Sequence, residues 1–138
     1  MSKVAIVFWS QTGNTETMAN CIAEGAGANA TIIPCSEMNA AKLGEYDVVA
    51  FGCPAMGAEQ LEESEFEPMF SDLEGSLNGK KVAMFGSYGW GDGEWMRSWE
   101  KDCADAGVNL VCDSVICCEA PDDTALDALR AMGKTLAS

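Results

Sequence analysis

Four short apolar runs punctuate the chain: Val4 to Trp9, Asp47 to Cys53, Lys81 to Gly86 and Asn109 to Cys117. The first three are nearly continuous, the pattern of strands covered on both faces rather than on one. Thr31 to Cys35 is a weaker fifth run. Between the runs, apolar residues recur at helical spacing: Met18, Cys21, Ile22 and Gly25, then Phe66, Met69, Phe70 and Leu73. Trp95, Met96, Trp99 and Cys103 form a third such stripe, and Leu126, Leu129, Met132 and Leu136 a fourth. Asp92 is a candidate N-cap, Gly107 a candidate C′ stop, and Pro68 falls where a first helical turn tolerates a missing N–H. Residues 36 to 46 read as a short helix.

Strands alternating with helices imply right-handed crossovers and a parallel sheet between two helical layers. The expected class is α/β, a doubly wound three-layer sandwich whose five-stranded parallel sheet has the order 2-1-3-4-5. One domain should span residues 1–138. In such a sheet ligands bind beyond the carboxyl ends of the strands, at the switch point between the first and third. The loops after strands one, three and four are therefore the informative ones.

The first is Ser10-Gln11-Thr12-Gly13-Asn14-Thr15, leading into a helix. Hydroxyls, a carboxamide, a glycine and the free N–H groups of a helix N-terminus form a cradle for a dianionic phosphate without any Lys or Arg. The P-loop lysine and the G-x-G-x-x-G spacing are both absent, which disfavours a triphosphate and a dinucleotide and favours a monoester. After strand three comes Gly52-Cys53-Pro54-Ala55-Met56-Gly57-Ala58-Glu59, and after strand four Gly86-Ser87-Tyr88-Gly89-Trp90-Gly91-Asp92-Gly93. Glycines in the latter let backbone N–H groups approach a ligand while the loop presents aromatic faces. Met56 opposite Trp90 would make a slot for a flat ring.

Charge narrows the partners. The 22 carboxylates and 8 basic residues give a formal net charge of -14, which repels nucleic acid and anionic lipid and speeds encounter with basic proteins. Residues 43 to 79 contain no Lys or Arg but include Glu59, Glu62, Glu63, Glu65, Glu67, Asp72 and Glu74, a surface of one sign. The 7 cysteines include no CxxC pair, and there is no histidine. Neither a metal site nor a disulfide framework is expected, and reduced, packing thiols fit a cytoplasmic setting. Adjacent Cys117 and Cys118 could close a disulfide only with strain. No apolar run approaches the roughly 20 residues of a membrane span, and the start of the chain reads as a strand rather than a signal peptide.

From end to end the chain resembles a short-chain flavodoxin of the clostridial type, through S-x-T-G-N-T, the C-P-A-M-G turn, the E-E-S-E-F-E-P segment and G-S-Y-G-W-G-D-G. The resemblance implies a low-potential one-electron carrier that holds FMN without a covalent bond and is not an enzyme. Ser10, Gln11, Thr12, Gly13, Asn14 and Thr15 would hold the FMN phosphate. Met56 and Trp90 would sandwich the isoalloxazine, and Glu59 would accept from flavin N3–H. Backbone N–H groups at Gly89, Trp90 and Gly91, beside Tyr88, would face O2 and N1, with Pro54, Ala55 and Ser87 along the ribityl chain. The Gly57 carbonyl would turn toward N5 to stabilise a neutral semiquinone. That turn needs positive φ at Ala58, which alanine resists by roughly 1 to 2 kcal/mol, so a less stabilised semiquinone than in relatives is expected. Carboxylates at 59 and 62 to 67 should make the second couple strongly reducing. Expected partners are reductases and ferredoxin-dependent enzymes with basic docking surfaces, met by a monomer. An FMN-dependent NAD(P)H or quinone reductase on the same scaffold is the alternative, but it needs a second pocket for which no stretch is spare. A phosphoryl-receiving signalling domain would share the sheet but needs acidic residues where Trp9-Ser10 and Cys53-Pro54 stand.

Overall fold

A computed structural model describes residues 3–10, 13–56, 61–89 and 93–137. In chain order the elements are β1 (Val4–Phe8), α1 (Asn14–Ala26), β2 (Ala30–Pro34), α2 (Ala40–Leu43), β3 (Val48–Gly52), α3 (Phe66–Glu74), β4 (Lys81–Tyr88), α4 (Glu94–Asp105), β5 (Asn109–Leu110), β6 (Val115–Cys118) and α5 (Asp123–Ala137). Single 3-10 turns at Gly27–Asn29 and Cys35–Glu37 flank β2. All strand pairings are parallel and the order is β2-β1-β3-β4-β5, with β6 also beside β4. The expected architecture is the observed one.

Continuous apolar runs at β1 and β3 follow from burial on both sides, since every residue of each strand is buried. Ala5, Val7, Val49, Phe51, Val82 and Met84 pack in one layer with the apolar stripes of α3 and α4. Their neighbours Val4, Ile6, Val48, Ala50, Ala83 and Phe85 pack in the other with Met18 and Ile22 of α1 and Leu129, Met132 and Leu136 of α5. On the α3–α4 side, Phe70 and Trp99 meet edge to face at 5.4 Å, and Phe66 and Trp99 at 5.5 Å. On the other side α1 and α5 cross at two glycines. A Cβ on Gly133 would overlap the Ile22 carbonyl oxygen, and one on Gly25 the Arg130 carbonyl oxygen. Arg130 Nε donates to Glu24 Oε1 at 3.1 Å across the same crossing.

Two expectations need correction. The fifth strand is split: the Val111 N–H still donates to the Val82 carbonyl at 3.0 Å, residues 112 to 114 then leave the ladder, and β5 and β6 each pair separately with β4. Asp113 and Ser114 are poor strand formers, and the Ser114 hydroxyl donates instead to Glu100 at 2.8 Å. The cap of α4 is Gly93, at φ 92°, while Asp92 lies outside the described residues. The other boundary signals hold, with Gly107 at φ 80° just beyond α4 and Pro68 inside the first turn of α3. All seven cysteines are free. Among the described residues no helix is long and apolar enough to cross a membrane, and no cluster of ligating side chains could hold a metal ion.

Candidate functional site

Because the sheet is parallel, the ends of β1, β3 and β4 open on one rim. After β1 the chain reaches Gly13, which caps α1 in the left-handed region at φ 96° and makes no side-chain capping bond. A Cβ there would be strained, and the absence of a capping side chain leaves first-turn N–H groups to an incoming anion. Ser10 Oγ folds over the turn and accepts from the Gly13 N–H at 3.1 Å. At the second residue of the helix, Thr15 is buried, its hydroxyl 3.4 Å from that of Ser87 at the end of β4. That contact pins the first loop to the fourth strand.

The loop after β3 is fixed by hydrogen bonds from underneath. The Cys53 N–H donates to the Phe85 carbonyl at 3.2 Å and the Ala55 N–H to the Ser87 carbonyl at 2.9 Å, continuing the β3–β4 ladder past the strand. The Trp95 indole N–H, buried at the start of α4, donates to the Cys53 carbonyl at 3.2 Å, and its ring packs on Tyr88 at 5.6 Å. Burial pushes the Cys53 thiol up to about 12, so it stays protonated and serves packing.

These loops enclose a cleft of about 480 Å3, lined by Ser10, Asn14, Thr15, Pro54, Ala55, Met56, Ser87, Tyr88 and Gly89. The volume suits a single small organic ligand, and none of the lining residues is Lys or Arg. Gln11, Thr12, Gly57, Ala58, Glu59, Trp90 and Gly91, also expected at this site, lie outside the described residues. Two lining residues were not foreseen, Glu119 and Ala120. They follow β6, whose carboxyl end reaches the same rim, and no motif marks them. Glu119 has φ 59°, alone among described non-glycine residues in being positive, and its N–H donates to the Tyr88 carbonyl at 2.7 Å. Glu119→Asn, which suits that backbone better, is expected to stabilise the fold by up to about 1 kcal/mol. Urea unfolding reads this, and a loss of stability would show that the glutamate side chain is needed where it stands.

One expected surface charge is not on the surface. Glu62 is 6% exposed. Its carboxylate accepts from the N–H groups of Ser64, Glu65 and Phe66 at 2.9, 2.7 and 2.9 Å, and from the Ser64 hydroxyl. Desolvation opposes the charge, but the four donors outweigh it and hold the carboxyl at about 2. Glu62 thus closes the start of α3 and does not belong with Glu63, Glu65 and Glu67, which are exposed.

The flavodoxin family model matches residues 6–133. The flavodoxin of Clostridium beijerinckii is 45% identical over 136 residues, covering 96% of this chain and 98% of that one. The flavodoxin of Megasphaera elsdenii is 46% identical over 123 residues, covering 87% and 89%. The solution structure of the two-electron reduced Megasphaera elsdenii protein superposes with a TM-score of 0.88, at 44% identity over 97% of this chain and 98% of that one. Sheet order, rim loops and these likenesses agree: the chain belongs to the flavodoxin family, electron carriers rather than catalysts.

Proposed function

We propose that this chain binds FMN without a covalent bond in the cleft at the ends of β1, β3 and β4, and carries electrons at low potential between redox proteins in place of ferredoxin. The observation that supports this most is the cleft itself, where a cation-free helix N-terminus, buried hydroxyls and a thioether line one space. The donor set fits a phosphate monoester. Ser10, Asn14, Thr15 and the first-turn N–H groups of α1 would hold the dianion, with the helix dipole adding to their hydrogen bonds. FMN, when bound, supplies reversible uptake of one or two electrons. Met56 would bear on the ring from the β3 side, and Trp90, by resemblance, from the other. Ala55 and Ser87, joined by the main-chain bond between them, keep the two loops from parting. The loops keep water from the bound ring, and the acidic surface steers basic reductases and ferredoxin-dependent enzymes to the rim. The carrier works as a cytoplasmic monomer.

The purified chain should take up FMN stoichiometrically and show a flavin spectrum, whereas folded protein that stays colourless with FMN in excess overturns the assignment. Thr15→Val keeps the shape of the buried side chain and removes its hydroxyl. Its preference for FMN over riboflavin should narrow by about tenfold, the worth of one hydrogen bond to a charged group. Calorimetry with both flavins reads the ratio, and an unchanged preference places the phosphate elsewhere.

A further inference from the structure

Glu119 is out of place in two ways. Its backbone sits at φ 59°, the left-handed region that asparagine, aspartate or glycine enters with little strain and glutamate does not. It also lines the cleft at the ends of β1, β3 and β4, and among the described lining residues it alone carries a formal charge. The strained backbone is held on both sides. The Glu119 N–H donates to the Tyr88 carbonyl at 2.7 Å, the Glu119 carbonyl accepts from the Cys117 thiol at 3.5 Å, and Tyr88 pairs in register with Cys118. Among the described residues no cation pairs with its carboxylate. Nearby Asp122 is otherwise engaged, its carboxylate accepting from the Ala125 N–H at 2.9 Å, and it does not line this cleft. A strained side chain kept at a ligand cleft, where another residue would fit without strain, points to a task for that side chain.

We propose that Glu119 sets the potential at which the bound flavin takes up its second electron. The inference rests on the FMN-carrier reading and names a residue of this chain that tunes it. Adding an electron without a proton gives the ring one negative charge, and the redox partner supplies that electron. A carboxylate on the wall of a cleft of about 480 Å3 lies within about 10 Å of such a ring. At an effective dielectric near 20, and after screening by salt, that proximity disfavours the charged ring about three- to tenfold. Repulsion of the phosphate is the same in every redox state and cancels. The effect needs proximity and not contact, so it holds whichever way the exposed side chain turns. Asparagine would relieve the backbone at Glu119 and discard the charge, so the strain is what keeping the charge costs.

Three substitutions in the full chain supplied with FMN separate charge from backbone. Glu119→Gln removes the charge and keeps the strain, Glu119→Asp keeps the charge and relieves the strain, and Glu119→Asn does both. Spectroscopic redox titration reads the potentials, and urea unfolding of the same samples reads the strain. Glu119→Gln and Glu119→Asn should favour the second electron about three- to tenfold, a rise of about 28 to 59 mV at 59 mV per tenfold. Glu119→Asp should stay within about twofold of the parent while gaining stability as Glu119→Asn does. Glu45→Gln, before β3 at the opposite end of the sheet, removes the same charge and should also stay within about twofold. An unmoved potential in Glu119→Gln, an equal rise in Glu119→Asp, or an equal rise in Glu45→Gln would each overturn the proposal. A chain that binds FMN but ignores Glu119→Gln fails this inference alone. A chain that stays colourless with FMN in excess fails the carrier reading and this inference with it.

Discussion

Glu62→Gln should cost the fold about 3 kcal/mol at neutral pH, from the gap between an ordinary glutamate near 4.5 and the value of about 2 that this site imposes. A carboxyl held below its unfolded value stabilises the native state above the unfolded pKa. That contribution is full above about pH 4.5 and is lost as pH falls toward 2. The parent should therefore lose its advantage over the variant across that window, and the two should converge at its acid end. Urea unfolding of both proteins at pH 7 and at pH 3 measures the closing gap. A gap independent of pH would mean that shape, and not charge, closes the start of α3. Glu62 also donates its main-chain N–H to Cys53 Sγ at 3.4 Å, a bond that the substitution keeps.

Gly133→Ala should destabilise by about 3 kcal/mol or more, the upper end of overpacking, because the added methyl meets a carbonyl of α1 and not a side chain that could turn away. Helix propensity alone would favour alanine by about 1 kcal/mol, so the two effects have opposite signs and the sign of the result decides between them. Thermal unfolding of the variant should show a lowered midpoint. Gly25→Ala should behave alike, and the double variant should fall short of the sum, since one separation of α1 from α5 relieves both clashes. Stabilisation by either substitution would show that the crossing has slack.

Much of this architecture is legible in side-chain patterning. Val4 and Ala5 are both apolar because they face opposite helical layers, and no exposed strand would carry that pair. The stripe Trp95, Met96, Trp99, Cys103 is buried in full, as its spacing requires. What patterning cannot report is pairing. Cys112 looks like any strand residue, and only the hydrogen bonds reveal that the ladder skips it. Glu62 looks like its acidic neighbours because a carboxylate's partners are invisible in a string of letters. At the rim, Ser10, Thr15, Met56 and Ser87 could be named because their loops carry dense, unusual combinations. Glu119 and Ala120 could not, for the loop after β6 is ordinary in composition and reaches the cleft only through topology. Trp99 was read as core, and it is core.

The interruption between β5 and β6 has a consequence beyond the site. An outermost strand is where one folded molecule can recruit another by extending its sheet. Here that margin offers only two residues, then a break, then four, while the opposite margin ends in Pro34, which has no N–H to give. Neither side presents a template long enough for stacking into fibrils. Copies of this carrier meeting at high concentration thus find little edge on which to extend one another's sheets.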